Sequence, residues 1–151
     1  LSFKNFELDI FLQGIYGNNL FNLSSVTYAY DFVSGLNMVQ NVLTDSWTTN
    51  HTNAKYPIIS RNTSVNVSER FIENGSYLRV KNIQLSYSFP IKNWGITKVV
   101  ESLQLYASGQ NLLTFTKYSG WDAEVNSNGF GIDNKSYPMS KMFSFGVRAR
   151  F

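Results

Sequence analysis

The chain has 151 residues, of which 16% are aromatic and only 15% charged, with a net charge of +3 and no cysteine. The missing cysteines exclude a disulfide framework and a thiolate metal centre, and the absence of a basic cluster argues against nucleic acid as a partner. No apolar run approaches the ~20 residues a membrane helix needs, and a mean hydropathy of -0.19 with little charge fits transmembrane β-barrels and secreted all-β proteins alike.

The opening residues "LSFKNFELDI" contain no Met and no signal-peptide pattern. They pass almost at once into strand alternation, so the chain reads as a piece of a longer protein. Over residues 3–16, Phe6, Leu8, Ile10, Leu12 and Tyr16 share one parity, and Glu7, Asp9 and Gln13 take the other. Side chains alternate across a strand, so this is a strand with one apolar and one polar face. Glu7 and Asp9 on the polar parity read as a solvated wall, or as a source of field on whatever passes it.

A long connection, about 17–75, follows. Within it Phe32, Leu36, Val39 and Leu43 recur at helical spacing behind Asp31 as N-cap. They predict a helix over about 32–43. Asn-x-Ser/Thr triplets at Asn22, Asn50, Asn62, Asn66, Asn74 and Asn134 are what loops rich in those residues produce by chance. His51 is the single histidine and has no cysteine nearby, so it suggests neither a metal site nor catalysis.

The second strand is expected at 77–89, where Ile83, Leu85, Tyr87 and Phe89 oppose Gln84, Ser86 and Ser88. Leu78 and Val80 sit on the wrong parity for that face, which would turn Arg79 and Lys81 to the apolar side. One extra residue near Lys81–Asn82 restores a single apolar face, so the pattern predicts a β-bulge there, with both cations on the polar side. A short turn at about 90–98, containing Trp94, leads to a third strand at 99–116. There Val99, Leu103, Leu105, Ala107, Leu113 and Phe115 oppose Gln104, Tyr106, Ser108, Gln110 and Thr114.

A connection at about 117–138 contains "EVNSNGF". It imitates the start of a calcium loop at Glu124, Asn126, Asn128 and Gly129 but has Lys135 where a bidentate Glu is required. It reads as a polar loop. The last strand, 139–151, places Phe143, Phe145, Val147, Ala149 and Phe151 on one face and Ser144, Gly146, Arg148 and Arg150 on the other.

The connections run long, short, long. A compact soluble domain rarely carries an excursion of about 60 residues, whereas outer-membrane barrels combine short periplasmic turns with long outer loops. With the C-terminus on the periplasmic side, the turn at 90–98 falls inside and the loops at 17–75 and 117–138 fall outside. At ~3.3 Å per residue and a tilt near 40°, an apolar band ~25 Å tall takes about ten residues, as these strands provide. Tyr87 and Phe89 would belong to the inner aromatic girdle. The expected fold is all-β: four antiparallel strands of a large transmembrane barrel.

Three stretches carry a family resemblance: "NGSYLRVKNIQLSYSFP" (74–90), "LQLYASGQNLLTFTKYSGWDAEV" (103–125) and "YPMSKMFSFGVRARF" (137–151). In this order they resemble the C-terminal portion of SusC/RagA-like TonB-linked outer-membrane transporters, and "FELDIFLQGIYGNNLFN" (6–22) is similar to the preceding strand. Ala123 departs from the family's usual proline, which touches only a turn. The resemblance implies a barrel of 22 strands with an N-terminal plug lying upstream of Leu1, a TonB complex that energises it, and a Gram-negative outer membrane around it. It also implies a SusD-like lipoprotein partner and glycan, oligosaccharide or peptide cargo. Neither a cofactor nor an enzymatic activity is implied. The terminal parity, Phe143, Phe145, Val147, Ala149 and Phe151, is then expected to be the barrel-assembly signal.

Tyr118 and Trp121 in the second long loop present aromatic faces that could stack on sugar or simply pack. Trp47 and Tyr56 are the expected contact with the lipoprotein. The alternative from another class is a soluble secreted β-sandwich that binds carbohydrate, with the apolar strand faces forming its core.

Overall fold

The computed structural model describes residues 1–62, 65–91, 100–125 and 131–151. The chain divides into two compact units, one of Leu1–Tyr16, Tyr77–Thr116 and Met139–Phe151, the other of Gly17–Ser76 and Lys117–Pro138. In chain order the strands are β1 (Ser2–Phe3), β2 (Phe6–Ile15), β3 (Asn19–Asn22), β4 (Ile72–Asn74), β5 (Tyr77–Ser88), β6 (Ser102–Thr116), β7 (Ile132–Asp133) and β8 (Met142–Arg150). No helix among the described residues is long and apolar enough to cross a membrane.

The first unit is an antiparallel sheet in the order β1-β2-β5-β6-β8. It has five strands rather than four, because the strand expected from residue 3 is a hairpin. The chain reverses at Lys4, whose φ is 52°, and Phe3 lies opposite Phe6. Leu1 and Leu8 exchange backbone hydrogen bonds of 2.7 and 2.8 Å across it. β6 begins at Ser102 and β8 at Met142, both later than the alternation suggested. Val99, Trp94 and most of the expected turn at 90–98 lie outside the described residues.

Register gives the sheet its two faces. Directly opposed residues in an antiparallel pair point to the same side. Tyr87 is opposite Phe6 and Leu105, and Leu105 is opposite Val147. Leu85 is likewise opposite Leu8 and Ala107, and Ala107 is opposite Phe145. The next rungs are polar: Glu7–Ser86–Tyr106–Gly146 and Asp9–Gln84–Ser108–Ser144. A slip of one residue on any strand would mix the faces. The apolar face is open, with Phe145 80% and Phe143 66% exposed. Phe6, Tyr87 and Phe89 cluster there, their ring centroids 4.8 and 5.0 Å apart in sequence along the chain of contacts.

The irregularity falls where the parity break required it. Phe11 pairs with Asn82 while Leu12 pairs with Val80, so Lys81 is an extra residue against β2. Against β6, Val80 pairs with Leu113 and Asn82 with Gln110, so β6 carries one residue more than β5. β6 therefore exceeds β2 by two residues, an even number, and its own parity survives. This is why the bulge marked β5 in the sequence and left no trace in β6. Asn111 takes φ 52° there, a left-handed conformation that asparagine tolerates, and its Nδ2 donates to the Ser140 carbonyl at 3.1 Å. Arg79 is on the polar side as expected, 3% exposed, with Nε donating to Thr114 Oγ1 at 2.8 Å.

The second unit holds a small sheet, β4-β3-β7, in which β3 pairs antiparallel with β4 and parallel with β7. Its helices are α1 (Leu23–Ser25), continued by a π-helical segment Val26–Tyr30, and α2 (Gln40–Thr44). Of the helix expected over 32–43 only the end forms, as α2. The Asp31 side chain accepts from the Val33 and Ser34 backbones at 3.1 and 3.3 Å, closing a turn instead of capping a helix, and Gly35 follows at φ 68°. Of the expected stripe only Phe32 enters the core, beside Ala29, Val42 and Tyr56. Leu36, Val39 and Leu43 are exposed.

Candidate functional site

Between the bulge and Ser88, the polar face of the first unit is a wall of neutral hydrogen-bonding groups between two charged margins. Glu7 and Asp9 stand on β2, and Arg148 and Arg150 on β8. Gln84, Ser86, Gln104, Tyr106 and Ser108 line the two strands between them. Gln84 Nε2 donates to Ser86 Oγ at 3.2 Å. Arg148 Nη1 donates to Gln104 Oε1 at 3.0 Å, and its guanidinium lies 5.7 Å from the Tyr106 ring centre. Such a surface offers donors, acceptors and charge to a hydrated solute. Among the described residues no group of three or more His, Asp or Glu converges as a metal site.

The second unit is held by two polar clasps. Asn22, 2% exposed, accepts from the Ser25 backbone at 2.8 Å and donates to Glu73 Oε1 at 2.9 Å. Glu73 also receives the Ser119 hydroxyl at 2.7 Å and its backbone N–H at 2.8 Å. In the second clasp the Tyr118 hydroxyl donates to Asp133 Oδ2 at 2.7 Å, while Oδ1 takes the Ser136 N–H at 3.1 Å. Burial, then the hydrogen bond and charge of Asp133, push the Tyr118 phenol above the ordinary tyrosine range. Nothing in local patterning marked Glu73, because its partners Asn22 and Ser119 lie 51 and 46 residues away.

The four aromatic site candidates separate by burial. Tyr56 is 7% and Tyr118 6% exposed, so both serve the interior of the unit, and neither offers a face to cargo or partner. Trp47 and Trp121 remain available at 39% and 64%. A short turn holds Trp47: its N–H donates to the Tyr56 carbonyl at 2.9 Å, and Tyr56 N–H returns to Asp45 at 3.0 Å. His51, which the sequence left without a partner, closes that turn at 3.0 Å from Asp45 Oδ1. The hydrogen bond from His51, joined by the Lys55 backbone, holds the Asp45 carboxyl below its usual range. The calcium-like stretch at 126–130 lies outside the described residues. Phe143, Phe145, Val147 and Phe151, with Ala149 among them, are all exposed on the apolar side of β8 and beyond it.

Over its whole length the chain is 31% identical to the TonB-dependent receptor P3 of Formosa agariphila, of which it covers 15%. It is equally 31% identical to the TonB-dependent receptor SusC of Bacteroides thetaiotaomicron, covering 14% of that protein. Its homologues are TonB-dependent receptors. No family model matches it. The RagAB peptide importer in its open-open state contains a similar fold, with a TM-score of 0.80 and 28% identity over 99% of this chain and 16% of that one. These TonB-dependent receptors and importers are outer-membrane proteins and not enzymes. The chain thus spans about 15% of the length of the curated receptors it matches in full.

Proposed function

We propose that these residues form the C-terminal part of the wall of an outer-membrane importer, four long strands of a closed barrel. In this reading the apolar face meets lipid, the polar face lines the lumen, and the second unit is extracellular. The carrying observation is the register. It keeps one face apolar across β2, β5, β6 and β8 in spite of two irregularities, and leaves that face uncovered in the sheet. The β-sandwich alternative needs a second sheet packed on it. TonB supplies the energy and a SusD-like lipoprotein the outer lid, as the kinship with SusC and the RagAB peptide importer supports. The cargo class is glycan, oligosaccharide or peptide.

The test uses single cysteines in the full-length receptor, labelled with a polarity-sensitive dye in vesicles that carry a lipid-borne quencher. Dyes at Leu105 and Phe145 are expected to be quenched, and dyes at Ser108 and Ser144 to be spared. Equal quenching at both pairs refutes the assignment of faces, and protein recovered from cells without detergent refutes the barrel itself.

Two further expectations rest on the same reading. The exposed parity Phe143, Phe145, Val147, Ala149 and Phe151 acts as the assembly signal. Phe151→Asp should therefore lower the receptor level in the outer membrane at unchanged synthesis, as read by quantitative blotting of membrane fractions. Trp47, projecting from its braced turn, is the aromatic anchor for the lipoprotein. Trp47→Ala should weaken that complex by ~2 kcal/mol, about the loss typical of a good anchor. Undiminished co-purification of the lipoprotein at normal receptor levels would exclude this contact.

A further inference from the structure

The margin of the polar face at β8 has a structure that a passive wall does not need. Gly146 lets the Tyr106 ring lie flat on the strand, since a Cβ there would stand 2.5 Å from the phenol oxygen. The guanidinium of Arg148 lies 5.7 Å from the centre of that ring, within cation–π range, and is tied by one nitrogen to Gln104. The ring and the side-chain tether restrict a group that otherwise has many rotamers. Arg148 is exposed. Arg150 follows at the same parity, opposite Ser102.

Among the described residues neither cation has a carboxylate within 4.0 Å, and the residues outside the description include no Asp or Glu. The carboxylate of this margin is Glu101, whose N–H donates to the Arg150 carbonyl at 2.8 Å and which lines one recess with Gln104 and Arg148. Glu7 and Asp9 are on β2, three strands away from β8 in the sheet order. At ~4.8 Å per strand the two margins are about 14 Å apart, more than a Debye length at physiological salt.

From this arrangement we infer that Arg148 and Arg150 form a carboxylate-binding site on the polar face, pre-oriented by Gln104 and by Tyr106 over Gly146. A planar guanidinium matches a carboxylate bidentately, and a second cation two residues along the strand, ~7 Å away, favours ligands with more than one acid group. The inference rests on the polar face being the lumen side. The carboxylate can come from an acidic cargo or from a part of the receptor outside residues 1–151, and one experiment separates the two sources.

The full-length receptor is labelled with 15N-arginine in nanodiscs, and the Nε–H signals of Arg148 and Arg150 are assigned through Arg148→Gln and Arg150→Gln. Citrate is then titrated at constant ionic strength, with glucose as the neutral control. For an acidic cargo, both signals exchange rapidly with water and shift saturably with citrate, with a half-point below about 10 mM for a two-arginine site. Gln104→Leu, which keeps both charges, is expected to raise that half-point several-fold. For a carboxylate of the receptor itself, the signals are protected from exchange and silent to citrate, and Arg148→Gln unmasks citrate binding at Arg150. Rapid exchange with no saturable shift, or the same shift at every exposed arginine, overturns the inference. Failure of the lumen assignment shows separately, in the quenching pattern at Ser108 and Ser144.

Discussion

Leu105→Arg should destabilise the full-length receptor in lipid vesicles by about 1–2 kcal/mol. That is between the ~2–4 kcal/mol of a cation at the bilayer midplane and the ~0–1 kcal/mol near an interface, since Leu105 lies beside the girdle residue Tyr87. Leu105 lies well inside β6, opposite Tyr87 and Val147, all of one face. It is half exposed in the sheet, so the penalty comes from the surrounding solvent and not from a crowded core. Ser108→Arg sits three residues further along the same strand on the polar face and should change stability by less than about 0.5 kcal/mol, as surface changes usually do. Urea unfolding of the folded, heat-modifiable form measures both. Equal losses at the two positions would contradict a lipid-facing Leu105.

Tyr118→Phe should loosen the second unit while leaving the first intact. The substitution removes the donor to Asp133 Oδ2, and Asp133 is only 1% exposed, so water cannot readily replace it. A hydrogen bond to a charged group contributes about 1.5–3 kcal/mol, and the stranded carboxylate adds its own desolvation cost. The readout is proteolysis of intact cells: cleavage within 117–138 should become faster in the variant, with the receptor level unchanged.

The same contact sets a dependence on pH. Burial and Asp133 raise the Tyr118 pKa in the folded state, so folding favours the neutral phenol. An unfolded tyrosine ionises near ~10, and the stability this contact supplies is therefore complete below that pH and declines as pH rises above it. Absorbance at the tyrosinate band should show a phenol that resists titration in the wild type and is missing from Tyr118→Phe. A wild-type titration in which every tyrosine ionises near its ordinary value would contradict the buried clasp.

The alternation of Phe6 to Leu12, Ile83 to Phe89, Leu103 to Phe115 and Phe143 to Phe151 was sufficient to place the long strands and their two faces, because a period of two is a local property of the backbone. The same arithmetic located the bulge at Lys81, where two cations would otherwise have crossed to the apolar side. Spacing failed for the segment 32–43. Phe32, Leu36, Val39 and Leu43 have the period of a helix, yet the Asp31 side chain binds the next turn's backbone and Gly35 departs from helical φ, and neither preference shows in apolar periodicity. What tertiary structure alone decided involves residues far apart in the chain. It buried Tyr56 and Tyr118, and joined Asn22, Glu73 and Ser119. It also laid Arg148 against a tyrosine 42 positions earlier through the pairing of β6 with β8. Local pattern carries which way each strand faces; which side chains meet depends on register and loop closure, and those are properties of the assembled chain.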